Sequence, residues 1–106
     1  MTETEINEAL SKFVEERDWD KFHTPENLVK SISIEAAELL EIFQWDKPSR
    51  PERIHDELAD VLTYCYLLAM KLEVSPQALI LEKLSKTSLK YPVEKAKGVS
   101  TKYDQL

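Results

Sequence analysis

Glu35 and Glu38, in Glu-Ala-Ala-Glu, and Glu57 and Asp60, in Glu-Leu-Ala-Asp, have the types and spacing to hold a cation. Each pair interrupts an otherwise apolar helical seam. One seam runs Leu28, Ile32, Glu35, Leu39, Ile42 at spacings of 4, 3, 4 and 3, and the other runs Ile54, Glu57, Val61, Tyr64, Leu68 at 3, 4, 3 and 4. Both seams therefore carry a glutamate in a core slot. A second acid follows three residues later, on the same face of its helix. If the two helices pack, four carboxylates converge, and burying them without a counter-charge would cost several kcal/mol. The cations nearest in sequence, Lys30, Lys47, Arg50 and Arg53, fall near helix ends or off these faces. An all-oxygen donor set without His or Cys suits a hard divalent ion, Mg²⁺ or Mn²⁺.

The elements that must position these acids are helices. No segment shows sustained two-residue alternation, so the fold class is all-α. The predicted helices span residues 3–17, 25–44, 50–72 and 76–89, followed by a loose tail at 93–106. Thr2-Glu3-Thr4-Glu5 is a capping box for the first, Thr24-Pro25 opens the second, Ser49-Arg50-Pro51-Glu52 caps the third, and Ser75-Pro76 opens the fourth. The short connection between the second and third makes them antiparallel neighbours, which brings the two acid pairs together. The third, with Leu58, Val61, Leu62, Cys65, Leu68 and Leu72, is expected to be central, and the fourth to bury Ala78, Leu79, Leu81 and Leu84.

Length and charge narrow the function. At 106 residues the chain fits one domain with a modest core, which an oligomer would help to complete. Net charge is −6, with residues 83–106 at +4 and the body at −10; the acidic body disfavours nucleic acid, and the basic tail could meet a phosphate. A single glycine, Gly98, excludes a Walker loop or a dinucleotide fingerprint, both of which need several. Phosphate must then be handled by metal and side chains. No apolar run reaches membrane-spanning length, and the acidic N-terminus lacks a signal-peptide pattern, so the expected location is cytoplasmic, with no membrane partner. Cys65 lies among apolar residues and reads as packing.

Trp19 and Trp45 flank the second helix, placed to form flat walls on which a base could stack. Tyr64 lies one turn after Asp60 on the same seam, and its hydroxyl can reach what the acids hold. His23 immediately precedes the N-cap of the second helix, where it could contact a phosphate or sugar or make a local turn hydrogen bond. His55 makes a Glu52-x-x-His55 motif, but a redox di-metal bundle needs that motif on two helices. It occurs here once, off the acid face, and reads as solvent-exposed.

Glu35-x-x-Glu38, 18 intervening residues and Glu57-x-x-Asp60 resemble the metal signature of the all-α nucleoside triphosphate pyrophosphohydrolases, the MazG-like family. The segments Glu16 to Leu28, Glu41-x-Phe43-Gln44-Trp45 and Lys90-Tyr91-Pro92 are similar to its dCTP pyrophosphatase branch. The resemblance implies a four-helix MazG-like bundle, completed as a homodimer or homotetramer, that hydrolyses a nucleoside triphosphate to the monophosphate and pyrophosphate with a deoxypyrimidine preference, in nucleotide-pool clean-up. It further implies Glu35, Glu38, Glu57 and Asp60 as ligands of Mg²⁺, with Glu35 and Glu38 catalytic, and Trp19, His23, Asn27, Trp45, Tyr64 and Lys90 as substrate-binding. Two places depart from the pattern. Ser85-Lys86-Thr87-Ser88-Leu89 stands where many relatives carry a polar, Arg-rich stretch, and Leu10 stands near the position of a base-binding histidine. The alternative is a non-catalytic helical module of the same fold that binds a nucleotide or a protein.

Overall fold

The computed structural model describes residues 1–45 and 50–106, and among them the regular structure is entirely helical. The helices are α1 (Glu3–Glu16), α2 (Pro25–Glu41), α3 (Pro51–Lys71), α4 (Pro76–Lys90) and a short α5 (Val93–Ala96). Three-residue 3₁₀ turns occupy Asp20–Phe22 and Tyr103–Gln105. Residues 1–75 and 76–106 form two compact units.

In the first unit α3 packs against both α1 and α2. Leu28 of α2 meets Leu67 of α3 in the core, whereas Glu35, two turns later, meets Glu57 and Asp60 near the start of α3. The two helices therefore run antiparallel, as the short connection predicts. The α1 helix is antiparallel to α3 as well: the Ser75 hydroxyl donates to Glu3 at 3.0 Å, the Ser11 hydroxyl approaches the Met70 sulfur at 3.7 Å, and Val14 reaches Leu67. The core is small. Val14, Leu28 and Leu67 form its buried centre, with Leu10, Tyr64, Leu68 and Met70 packed around it.

Helix starts follow the chemistry of their caps. The Thr2 hydroxyl accepts from the Glu5 N–H at 3.2 Å and the Glu5 carboxylate accepts from the Thr2 N–H, a complete capping box. The Thr24 hydroxyl accepts from the Asn27 N–H at 3.2 Å, with Pro25 in the first turn where a missing N–H is harmless. The expected cap Ser49 lies outside the described residues; α3 starts at Pro51, with Arg50 extended before it and no side-chain cap bond.

Helix ends differ more from expectation. The α2 helix stops at Glu41, three residues short, because its last turn tightens: Phe43 N–H bonds Leu40 O and Gln44 N–H bonds Glu41 O. No glycine is available there to take a left-handed cap. At the ends of α1 and α3, acidic residues adopt that conformation instead, Asp18 at φ 55° and Glu73 at φ 57°. Both ends are Schellman motifs, with Trp19 N–H on Val14 O and Val74 N–H on Ala69 O. Glu73→Gly is expected to raise the unfolding free energy by about 0.5–1 kcal/mol, because relief of left-handed strain exceeds the added chain entropy. A lower urea midpoint at unchanged m-value would contradict it.

The second unit corrects two expectations. Leu79, Leu81 and Leu84 are 46, 66 and 55% exposed, not buried as their spacing predicts. Their helical spacing shapes an apolar face without supplying the surface that would bury it. The tail is not loose: Lys95 and Ala96 N–H groups bond Pro92 O, and the Tyr103 N–H donates to Tyr91 Oη at 3.3 Å. The Tyr91 and Tyr103 rings meet edge to face at 6.2 Å, with the Lys90 ammonium 4.7 Å from the Tyr103 ring centre. Much of the predicted apolar face of α3 is also open, Leu58, Leu62 and Leu72 being 44, 50 and 53% exposed.

Candidate metal and nucleotide site

Carboxylate oxygens of Glu35, Glu57 and Asp60 lie within 4.8 Å of one another, a spacing at which a single cation could bridge them. Glu35 is presented by the middle of α2 and the other two by successive turns of α3. Oε2 of Glu35 and Oε2 of Glu57 are buried and have no hydrogen-bond partner among the described residues. Two orphaned anionic acceptors facing a third carboxylate are what a hard cation would satisfy. The donor set therefore fits a divalent ion, and no Lys or Arg forms an ion pair with it among the described residues.

The electrostatics record the crowding. The Glu35 carboxyl is raised to about 7, first by a hydrogen bond with Glu38, then by burial and the like charges of Glu38, Asp60 and Glu57. The Glu57 carboxyl is also raised, by burial first and then by Glu38 and Asp60, against a weaker opposing pull from Arg53. Glu38 is not among the three carboxylates whose oxygens converge, but it lies close enough to act on both glutamates.

Beside the acids lies a cavity of about 380 Å³, lined in part by Trp19, His23, Glu35, Asp60 and Tyr64. Its size is within the range of small-molecule sites. The Trp19 indole is braced edge-on by Phe13, with ring centres 5.6 Å apart, and Arg17 caps the other ring of the pair at 3.8 Å. His23 meets Tyr64 edge to face at 6.4 Å. The expected residues Trp19, His23 and Tyr64 are thus brought together with two of the acids. Asn27 serves the loop, its Nδ2 donating to Phe22 O at 3.0 Å. Trp45 is 86% exposed and does not line this cavity. Lys90 belongs to the second unit, over Tyr103. His55 is exposed, as expected.

Sequence reasoning missed Phe13, Thr63 and Leu67 as walls of this cavity. The signal for two of them was there, since Thr63 and Leu67 follow Asp60 by 3 and 7 residues on α3. Leu10 is a wall too.

Residues 30–106 match the family described as MazG-like. The chain belongs to the MazG-like family. Proteins named dCTP pyrophosphatase 1 from Rattus norvegicus and Homo sapiens are 34% and 35% identical to it over 112 residues, 96% of this chain. The chain spans 66% of the length of each, just under two thirds. The crystal structure of a pyrophosphatase from Archaeoglobus fulgidus superimposes with a TM-score of 0.79 at 42% identity, covering 84% of this chain and 91% of that one. The all-α architecture is therefore that of a MazG-like fold, and no described helix is long and apolar enough to cross a membrane.

Proposed function

We propose that this MazG-like chain is a Mg²⁺-dependent nucleoside triphosphate pyrophosphohydrolase, releasing a nucleoside monophosphate and pyrophosphate, with deoxypyrimidine triphosphates of the dCTP type preferred. The observation that carries the reading is one continuous site: Glu35 and Asp60 line the same cavity as Trp19, His23 and Tyr64. The names of the relatives support the substrate class.

Each residue then has a task. Glu35, Glu57 and Asp60 hold the ion, which when bound supplies charge neutralisation for the triphosphate and a water of lowered pKa. Trp19 stacks on the base, a contact worth about 1–3 kcal/mol, and Phe13 keeps the indole in place. Tyr64 and His23 offer polar atoms in the same cavity for the sugar or phosphates. Glu38, outside the three-carboxylate set, is assigned to take the proton of the attacking water once the ion replaces the proton it shares with Glu35. Trp45, Asn27 and Lys90 remain proposed substrate contacts on the resemblance alone. Action on the nucleotide pool implies a cytoplasmic enzyme without nucleic-acid or membrane partners. A homodimer or homotetramer is part of the proposal, supported by exposed apolar side chains such as Trp45 and Leu40, at 86 and 71%.

The test is incubation of the full chain with a panel of deoxy- and ribonucleoside triphosphates and Mg²⁺. Pyrophosphate and the monophosphate are expected in equal amounts, fastest with a deoxypyrimidine nucleotide. Release of orthophosphate alone would exclude the reaction, and nucleotide binding without turnover would leave a non-catalytic module.

A further inference from the structure

The walls of the nucleoside cavity are fastened unevenly. Trp19 and His23 sit on the connection between α1 and α2, whereas Glu57, Asp60 and Tyr64 ride on α3. The bonds that shape the connection tie it to its own neighbours: Trp19 N–H to Val14 O, Asn27 Nδ2 to Phe22 O, and the Thr24 cap. Besides the edge contact of His23 with Tyr64, the described tie to α3 is an ion pair, Lys71 Nζ to Asp20 Oδ1 at 2.7 Å. Lys71 lies seven residues after Tyr64, two turns along the same helix.

Behind this connection is a second cavity of about 520 Å³, lined by Asp18, Asp20 and Lys71 among others. Val14, His23 and Leu67 line both cavities, so the partition between them is thin. The connection therefore borders this second cavity at Asp18, Asp20 and His23. Lys71 is the one Lys or Arg lining the rear cavity, which also holds Glu15 and Asp18. Its hydrogen bond and charge keep the Asp20 carboxyl below its ordinary range.

We propose that the Lys71–Asp20 pair is a positioning clamp, holding the Trp19–His23 wall of the nucleoside cavity at its distance from the α3 acids. The inference rests on the nucleotide reading for its kinetic consequence but not for its geometry. Both partners are positioning residues: they touch the wall and not the substrate.

The experiment compares Lys71→Met, which keeps an apolar stem, Asp20→Asn, and the exchanged pair Asp20→Lys with Lys71→Asp. In each single variant KM for the best nucleotide is expected to rise roughly threefold to fivefold, the range open to a partly exposed ion pair, with kcat and Mn²⁺ affinity unchanged. The exchanged pair should recover KM. In a Trp45→Phe background, acrylamide quenching of Trp19 emission should increase in both singles and recover in the exchange. Wild-type KM and quenching in the singles, or no recovery in the exchange, would overturn the clamp. If the wild-type chain turns over no nucleotide, the functional reading fails while the quenching series still decides the clamp.

Discussion

Glu35→Gln is expected to lower turnover by about a thousandfold, because under the proposed function it removes a ligand from a cation that would contribute several kcal/mol to the transition state. Mn²⁺ binding, followed by calorimetry or electron paramagnetic resonance, should weaken in parallel. Without metal the effect on the fold has the opposite sign. Glu35 carries its charge beside Glu38, Glu57 and Asp60, and the amide removes one member of that repelling set. Above pH 7 the metal-free variant should therefore melt at a higher temperature than the wild type. Loss of turnover with gain of apo stability is a signature that simple unfolding cannot produce. Glu38→Gln provides the contrast: it should lose about 10²- to 10⁴-fold in rate, the usual contribution of a general base, while Mn²⁺ affinity stays near wild type. Equal metal loss in both variants would place Glu38 among the ligands and leave the base unassigned; wild-type metal affinity in Glu35→Gln would remove the triad.

The acids were legible from sequence because a charge in a seam violates the pattern that folds the helix, and burial makes that violation expensive. Their meeting was legible as well, since a short connection between two long helices leaves little choice but an antiparallel pair. The same logic explains the placement of Tyr64, one turn from Asp60. The cavity walls from α1 were harder to read. Phe13 belongs to an ordinary apolar face, and only packing against Trp19 turns it into part of a site. Asn27 shows the reverse: a residue of a matching motif whose amide is spent on the Phe22 carbonyl, in the loop. The apolar residues of α4 and the outer face of α3 read as core, yet side-chain type reports that a surface seeks cover, not what provides it. Lys71 and Asp20, 51 residues apart, carried no sequence signal because an ion pair across helices has no fixed spacing.

The metal-free protein is expected to lose stability as pH rises from about 5 to 8, opposite to the familiar loss in acid. The sign follows from Glu35. Its carboxyl has an ordinary value of 4.5 and is raised to about 7 in the fold, so between these limits the folded chain holds a proton that the unfolded chain has released. That contribution is complete below the ordinary value and is lost as pH passes through the raised one. Glu57 shifts in the same direction, reinforcing the trend. Asp20 shifts the other way, but its ordinary value is 3.8, so its effect falls below this window. A divalent ion bound at the proposed site would compete with the same proton. Calorimetry in buffers of different ionisation enthalpy should find close to one proton released per Mn²⁺ bound at about pH 6 and almost none at about pH 8.5. Saturating Mg²⁺ should abolish the fall in melting temperature, and Glu35→Gln should remove most of both effects. A pH-independent melting temperature, or no proton release at pH 6, would mean that the carboxylates do not share a proton in the folded chain, and the cation would then enter a site already ionised.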